Sequence, residues 1–191
     1  MVLIIIGFGP YSKFKSNLSG EIVEKFLIND FKFPVLKKVI PVSWNKSIKV
    51  YSNFLLELKS KPTLVILLGI HSINKIYLEK YAWNFKIGTD IDKKFKFGPI
   101  NIHFRPWIKT IINVNKLYSK LKDNINTSIS NFPGFFLCNY LYYWALYISK
   151  KEYPLIFIHI PQNGDLIDLI SEIKMIINTI WRIQYNEDLH I

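Results

Sequence analysis

A chain of 191 residues, half of them hydrophobic and 16% aromatic, is long enough to bury a substantial core in one domain, which excludes disorder. Its single cysteine excludes an intrachain disulfide framework and fits a reducing, intracellular compartment. The formal net charge of +11 invites a nucleic-acid partner, but the lysines are scattered as "KFK", "LKK", "DKKFKF" and "SKK" and form no continuous basic arm. With no helix-turn-helix, zinc ligand set or RNA-binding aromatic pattern, they read as a lysine-rich solvated surface.

Taken in chain order, "VLIII" (2–6) reads as a buried first strand, turned sharply by Gly7, Gly9 and Pro10. It has neither the basic start nor the cleavage site of a signal peptide, and falls far short of the roughly 20 apolar residues of a membrane helix. "SGEIVEKFLI" (19–28) has helical period with Ser19 as candidate N-cap. "KVIPV" (38–42) reads as a strand, "KSIKVYSNFLLELKSK" (46–61) as a helix and "TLVILLG" (63–69) as another interior strand. "RPWIKTIINVNKLYSKLK" (105–122) opens with Pro106, suited to a first helical turn, and carries Trp107, Ile108, Ile111, Ile112, Leu117, Tyr118 and Leu121 on one stripe. A weaker strand, "NTSIS" (126–130), precedes the apolar "NYLYYWALYI", which predicts a buried helix. "LIFIHI" (155–160) reads as the last strand and "GDLIDLISEIKMIINTIWRI" (164–183) as the last helix. No later apolar run is long and charge-free enough to span a bilayer, so a soluble protein is expected. The alternation predicts an α/β fold: one domain over 1–191, a three-layer α/β/α sandwich around a mainly parallel, mixed, twisted sheet.

Sites in such sheets form beyond the carboxyl ends of strands. Four loops qualify: Gly7–Tyr11, Gly69–Ser72, Gly134–Asn139 and His159–Gly164. Cys138 lies in one of them, at the start of the predicted helix. There, oriented N–H groups favour a thiolate and can hold an oxyanion. A lone cysteine is equally at home as an inert packing residue. His159 ends an apolar strand, where an unpaired imidazole is costly; it is either a satisfied core histidine or the base of a Cys–His pair. His71 and His103 compete for that role. An acid must orient the imidazole, and Glu79 in "YLEKYAWN" is one carboxylate among several.

Four blocks, in order, carry a family resemblance. "GFGPYSKFKSNLS" (7–19) is similar to an opening G-F-x-P-F followed by N-P-S, and "LEKYAWN" (78–84) to E-R-V-A-I-N. "SNFPGFFLCNYLYYWALY" (130–147) looks like S-x-x-A-G-x-F-[VL]-C-N-x-x-[ML]-Y, and "FIHIP" (157–161) matches F-I-H-[VI]-P. Weaker similarity runs through "FGPINIHFRPWIKTII" (97–112). The chain thus resembles the pyroglutamyl peptidase I (pyrrolidone-carboxylate peptidase) family of cysteine peptidases over essentially its whole length, as a diverged member.

The resemblance implies a catalytic triad of Cys138, His159 and Glu79, with substrate contacts at Phe8, Tyr11, Asn17 and Ile70. It implies removal of N-terminal pyroglutamate through an acyl-enzyme, without metal or cofactor, by a cytoplasmic homo-oligomer, dimer or tetramer, that has neither nucleic-acid nor membrane partners. Several positions depart from the pattern. "GIHSIN" (69–74) stands for G-Q-A-G-G-R, "FKIGTDIDKKFKFGP" (85–99) replaces a segment that usually carries an arginine, and Phe132 and Pro133 replace small residues. Tyr11 stands where Phe is usual and Gly9 where an acid is common. The alternative is therefore a diverged homologue with altered N-terminal specificity, or one without activity that binds or has a structural role.

Overall fold

The computed structural model describes residues 1–11, 16–26, 31, 33–103 and 105–185. Its centre is a six-stranded sheet in the order β2-β1-β3-β10-β4-β9. Strands β1 (Leu3–Phe8), β2 (Val35–Ile40), β3 (Leu64–His71) and β10 (Leu155–Pro161) are parallel. Strand β4 (Ile76–Glu79) runs antiparallel to β10, and β9 (Thr127–Ser130) pairs parallel to β4 at the edge. Two small ribbons complete the strands: β5 (Tyr81–Trp83) with β8 (Trp107–Lys109), and β6 (Lys86–Thr89) with β7 (Phe95–Gly98).

Alternation along the central strands builds two cores, as a pleated strand between two helical layers requires. Leu3, Ile5, Leu64, Ile66, Leu68, Ile156, Ile158 and Ile160 join α1 (Leu18–Lys25), α3 (Val114–Leu121) and α5 (Leu166–Tyr185). Ile4, Ile6, Phe8, Val65, Leu67, Leu155 and Phe157 join α2 (Trp44–Leu56) and α4 (Leu137–Ser149). The three-layer α/β fold with a mixed, mostly parallel sheet agrees with the expectation from the sequence.

The differences have local causes. The cap of α1 is Asn17, not Ser19: the Asn17 side chain accepts the Ser19 N–H at 3.1 Å. The Ser19 hydroxyl instead donates to Asn17 Oδ1 and accepts the Phe8 N–H, tying the end of β1 to the start of α1. Of the helix expected over 19–28, residues 27 and 28 lie outside the described residues. Strand β2 lies upstream of the expected 38–42, because Pro41 has no N–H to donate to the ladder. Helix α2 stops at Leu56 rather than 61, with Pro62 disfavouring helix before it.

The largest correction concerns 105–122. Its first part is strand β8, whose Ile108 pairs with Ala82, and only 114–121 is helical. The Thr110 hydroxyl donates to the Leu155 carbonyl and accepts the Ile112 N–H. That fixes a non-helical turn before the new cap, Asn113, which accepts the Lys116 N–H at 3.0 Å. The apolar spacing across that turn joins two different elements. Among the described residues, no helix is long and apolar enough to cross a membrane.

Candidate active site

Register brings three side chains to one face. His159 on β10 lies opposite Gly69 of β3 on one side and Tyr77 of β4 on the other. Glu79 lies opposite Phe157, two residues before His159 and therefore on the same face. Phe157 belongs to the core under α4, so the imidazole and carboxylate point toward that helix. The first turn of α4 carries Cys138, whose sulfur sits directly over Gly69: a Cβ built there would come within 2.9 Å of Sγ and 2.7 Å of the Phe157 ring. Only glycine leaves the thiol that room.

His159 Nδ1 donates to Glu79 Oε1 at 2.7 Å, and both residues are buried, at 7% and 1% exposure. Glu79 Oε2 is buried with no hydrogen-bond partner. Burial pushes the imidazole pKa down. The hydrogen bond and attraction of Cys138, then those of Glu79, push it up by more, to about 9. Both partners thus favour the charged imidazolium.

His71, the first competing histidine, has no nitrogen to spare. Its Nδ1 accepts the Ile73 N–H at 3.0 Å and its Nε2–H donates to the Lys75 carbonyl at 2.8 Å, while burial lowers its pKa. The ring packs edge-on against His159, with centroids 5.7 Å apart. His103, the second, is exposed and lines a different cavity with Tyr143 and Tyr147.

Two chambers meet at the thiol. The first, about 220 Å³, contains all four expected contact residues, Phe8, Tyr11, Asn17 and Ile70, together with Cys138. The Asn17 amide is anchored by the protein: Nδ2 donates one N–H to the Gly9 carbonyl at 3.1 Å while Oδ1 caps α1. It shapes the chamber by holding its loop. The Tyr11 hydroxyl donates to the Thr89 carbonyl at 3.3 Å, and its ring packs on Phe136, centroids 5.2 Å apart. The second chamber, about 590 Å³, contains Cys138, His159 and Glu79. Ile70 and Phe136 line both.

Other contributors are not among the expected site residues, although Phe136 and Asn139 fall on the F and N of the motif around the cysteine. Phe136 begins α4 without a side-chain cap, which leaves the first-turn N–H groups of that helix available beside the thiol. Its ring is seated by Gly88, at φ +133°, where a Cβ would lie 2.7 Å from it. Asn139 holds α4 to the chain around β5: Oδ1 accepts the Trp83 N–H, and Nδ2 donates to the Trp83 and Phe85 carbonyls. Gln162, next after "FIHIP", lines the first chamber. Among the described residues, no group of three His, Cys, Asp or Glu could hold a metal ion.

A thiol, an imidazole and a carboxylate thus lie in that order beside a small apolar chamber and a helix N-terminus, on an α/β fold. The family model described as pyroglutamyl peptidase matches residues 1–178. A pyrrolidone-carboxylate peptidase of Pyrococcus furiosus is 30% identical over 184 residues, 90% of this chain and 86% of its own length. Another, of Thermosipho africanus, is 28% identical over 169 residues, 84% of this chain and 82% of its own. In structure, pyrrolidone carboxyl peptidase from Thermococcus litoralis superposes with a TM-score of 0.88 at 24% identity, covering 100% of this chain and 98% of that one; this likeness speaks to the fold. The chain belongs to the pyroglutamyl peptidase family.

Proposed function

We propose that this protein is a cysteine exopeptidase that removes N-terminal pyroglutamate from peptides, acting as one domain over its whole length. The observation that carries the proposal is the Cys138–His159–Glu79 line at the mouth of a small apolar chamber. The flat, neutral pyrrolidone ring suits walls made by Phe8, Tyr11, Ile70 and Phe136, with no charged side chain among the lining residues. His159 holds the proton drawn from Cys138, and Glu79 stabilises the imidazolium. The thiolate adds to the pyroglutamyl carbonyl, and the oxyanion faces the N–H groups at the start of α4. As the tetrahedral adduct collapses, the C–N bond breaks and His159 gives its proton to the departing amine. Water, deprotonated by His159, then hydrolyses the thioester, releasing pyroglutamate and restoring the thiol.

A second reading, a different small neutral N-terminal group, is favoured by Ile70, whose apolar side chain lines the chamber where the family pattern has a polar one. The lone thiol supports a reducing, cytoplasmic setting, and we expect a homo-oligomer, as the family resemblance implies. Release of aminomethylcoumarin from its pyroglutamyl amide, under reducing conditions, tests the leading reading. Turnover by the wild type that is lost in Cys138→Ala is the expected result. A folded wild type inert toward this amide but active on another N-terminal group would establish the second reading instead.

A further inference from the structure

We infer that the second chamber is a selective site for the residue after the scissile bond, and that this enzyme prefers a bulky apolar side chain there. The inference rests on the pyroglutamyl reading for which side of the thiol holds the acyl group. His159 lines only the second chamber, while Cys138 lines both. The departing amine must receive its proton from His159, so the leaving residue lies on the imidazole side and the acyl group on the other.

That side is built from Ile73, Tyr77, Ile129, Phe132 and Phe135. No lysine, arginine or aspartate lies among its lining residues, and its one carboxylate, Glu79, is bonded to His159 through Oε1 and has its other oxygen buried from solvent. The second imidazole, His71, has both nitrogens engaged. A charged side chain entering here would lose water without gaining an accessible opposite charge, whereas an apolar one would bury surface.

Two side chains stand at the entrance, poised to meet a ligand. Phe132 is 53% exposed, with its ring edge-to-face on Phe135 at 4.7 Å, and Ile73 is 55% exposed. Ile73 is held over the chamber by its N–H bond to His71. Phe132 is oriented by its N–H bond to the Ser130 hydroxyl at the end of edge strand β9. Both occupy segments where this chain departs from the family pattern, so the selectivity belongs to this chain.

The test compares kcat/KM for pyroglutamyl-phenylalaninamide, -glycinamide and -lysinamide. The phenylalanine substrate is expected to lead each of the others by about tenfold or more, and Phe132→Ala with Ile73→Gly to shrink that lead to about threefold or less. Both positions are exposed, so folding is not at stake. A second measurement needs no turnover: phenylalaninamide should slow alkylation of Cys138 by iodoacetamide, and lysinamide should not. Turnover without side-chain preference would overturn the inference and leave the pyroglutamyl reading standing. Protection without any pyroglutamyl turnover would uphold the chamber and remove the pyroglutamyl reading. Neither turnover nor protection would sink both.

Discussion

The imidazole of His159 concentrates the electrostatics of the site in one side chain. Burial opposes its charge, while Cys138 and Glu79 favour it strongly enough to bring its pKa to about 9. Two consequences follow at neutral and alkaline pH. First, the imidazolium that serves the leaving amine in the proposed mechanism loses its proton as pH rises, so kcat/KM should fall along an alkaline limb near pH 9. Second, the folded pKa lies above that of the unfolded chain, so the charged ring stabilises the fold. That stabilisation is fully present below about pH 6.5, the ordinary histidine value, and is lost as pH rises through about 9. Replacing Glu79 by Gln should lower the His159 pKa, followed by NMR of the ring. It should also reduce kcat/KM by up to about 10⁴-fold, as expected when an imidazole loses its orienting carboxylate. An unchanged His159 pKa in that variant would contradict the ion pair. Cys138→Ala should lower the pKa at least as far, since the thiol is the larger of the two upward influences.

At the scale of elements, the site depends on how α4 is seated. Asn139 does this with three hydrogen bonds to the backbone at Trp83 and Phe85. Asn139→Ala would strand those buried groups and should destabilise the protein by about 1–3 kcal/mol, measured by urea unfolding. It should also slow Cys138 alkylation by loosening the helix start; an unchanged unfolding midpoint would refute the clamp. The same elements show what the sequence reveals. Continuous apolar runs made β1, β3 and β10 readable, since a parallel strand between helical layers is apolar on both faces. The short strands β4 to β8 escaped, because segments of three or four residues have too few positions to display a period. Helix spacing over 105–122 misled because Trp107 and Ile108 serve a ribbon with β5, whereas Leu117 and Leu121 serve a core on the far side of the sheet. Cys138, His159 and Glu79 were named through motif resemblance; spacing alone left His71 and His103 in contention. The bonds of His71 to its own loop are tertiary facts without a periodic trace.

At the scale of the whole molecule, the two cores and the site share one sheet but use opposite faces. Ile158 precedes His159 and points into the core with α3 and α5, fully buried. Ile158→Ala should cost about 2–5 kcal/mol in unfolding free energy. Below its lowered melting temperature, this variant should keep a Cys138 alkylation rate near that of the wild type, because His159 and Gly69 belong to the other face. A variant that unfolds normally yet loses thiol reactivity would show that the faces are coupled.

The solitary thiol over Gly69 has one more implication. The 191 residues contain no second cysteine, so a sulfenic acid formed on Cys138 has no partner within the chain to trap it as an internal disulfide. Return to the reduced state must come from a thiol arriving through one of the two chambers. Peroxide would thus act as an off-switch whose reset rate is set by the size of the reductant that can enter.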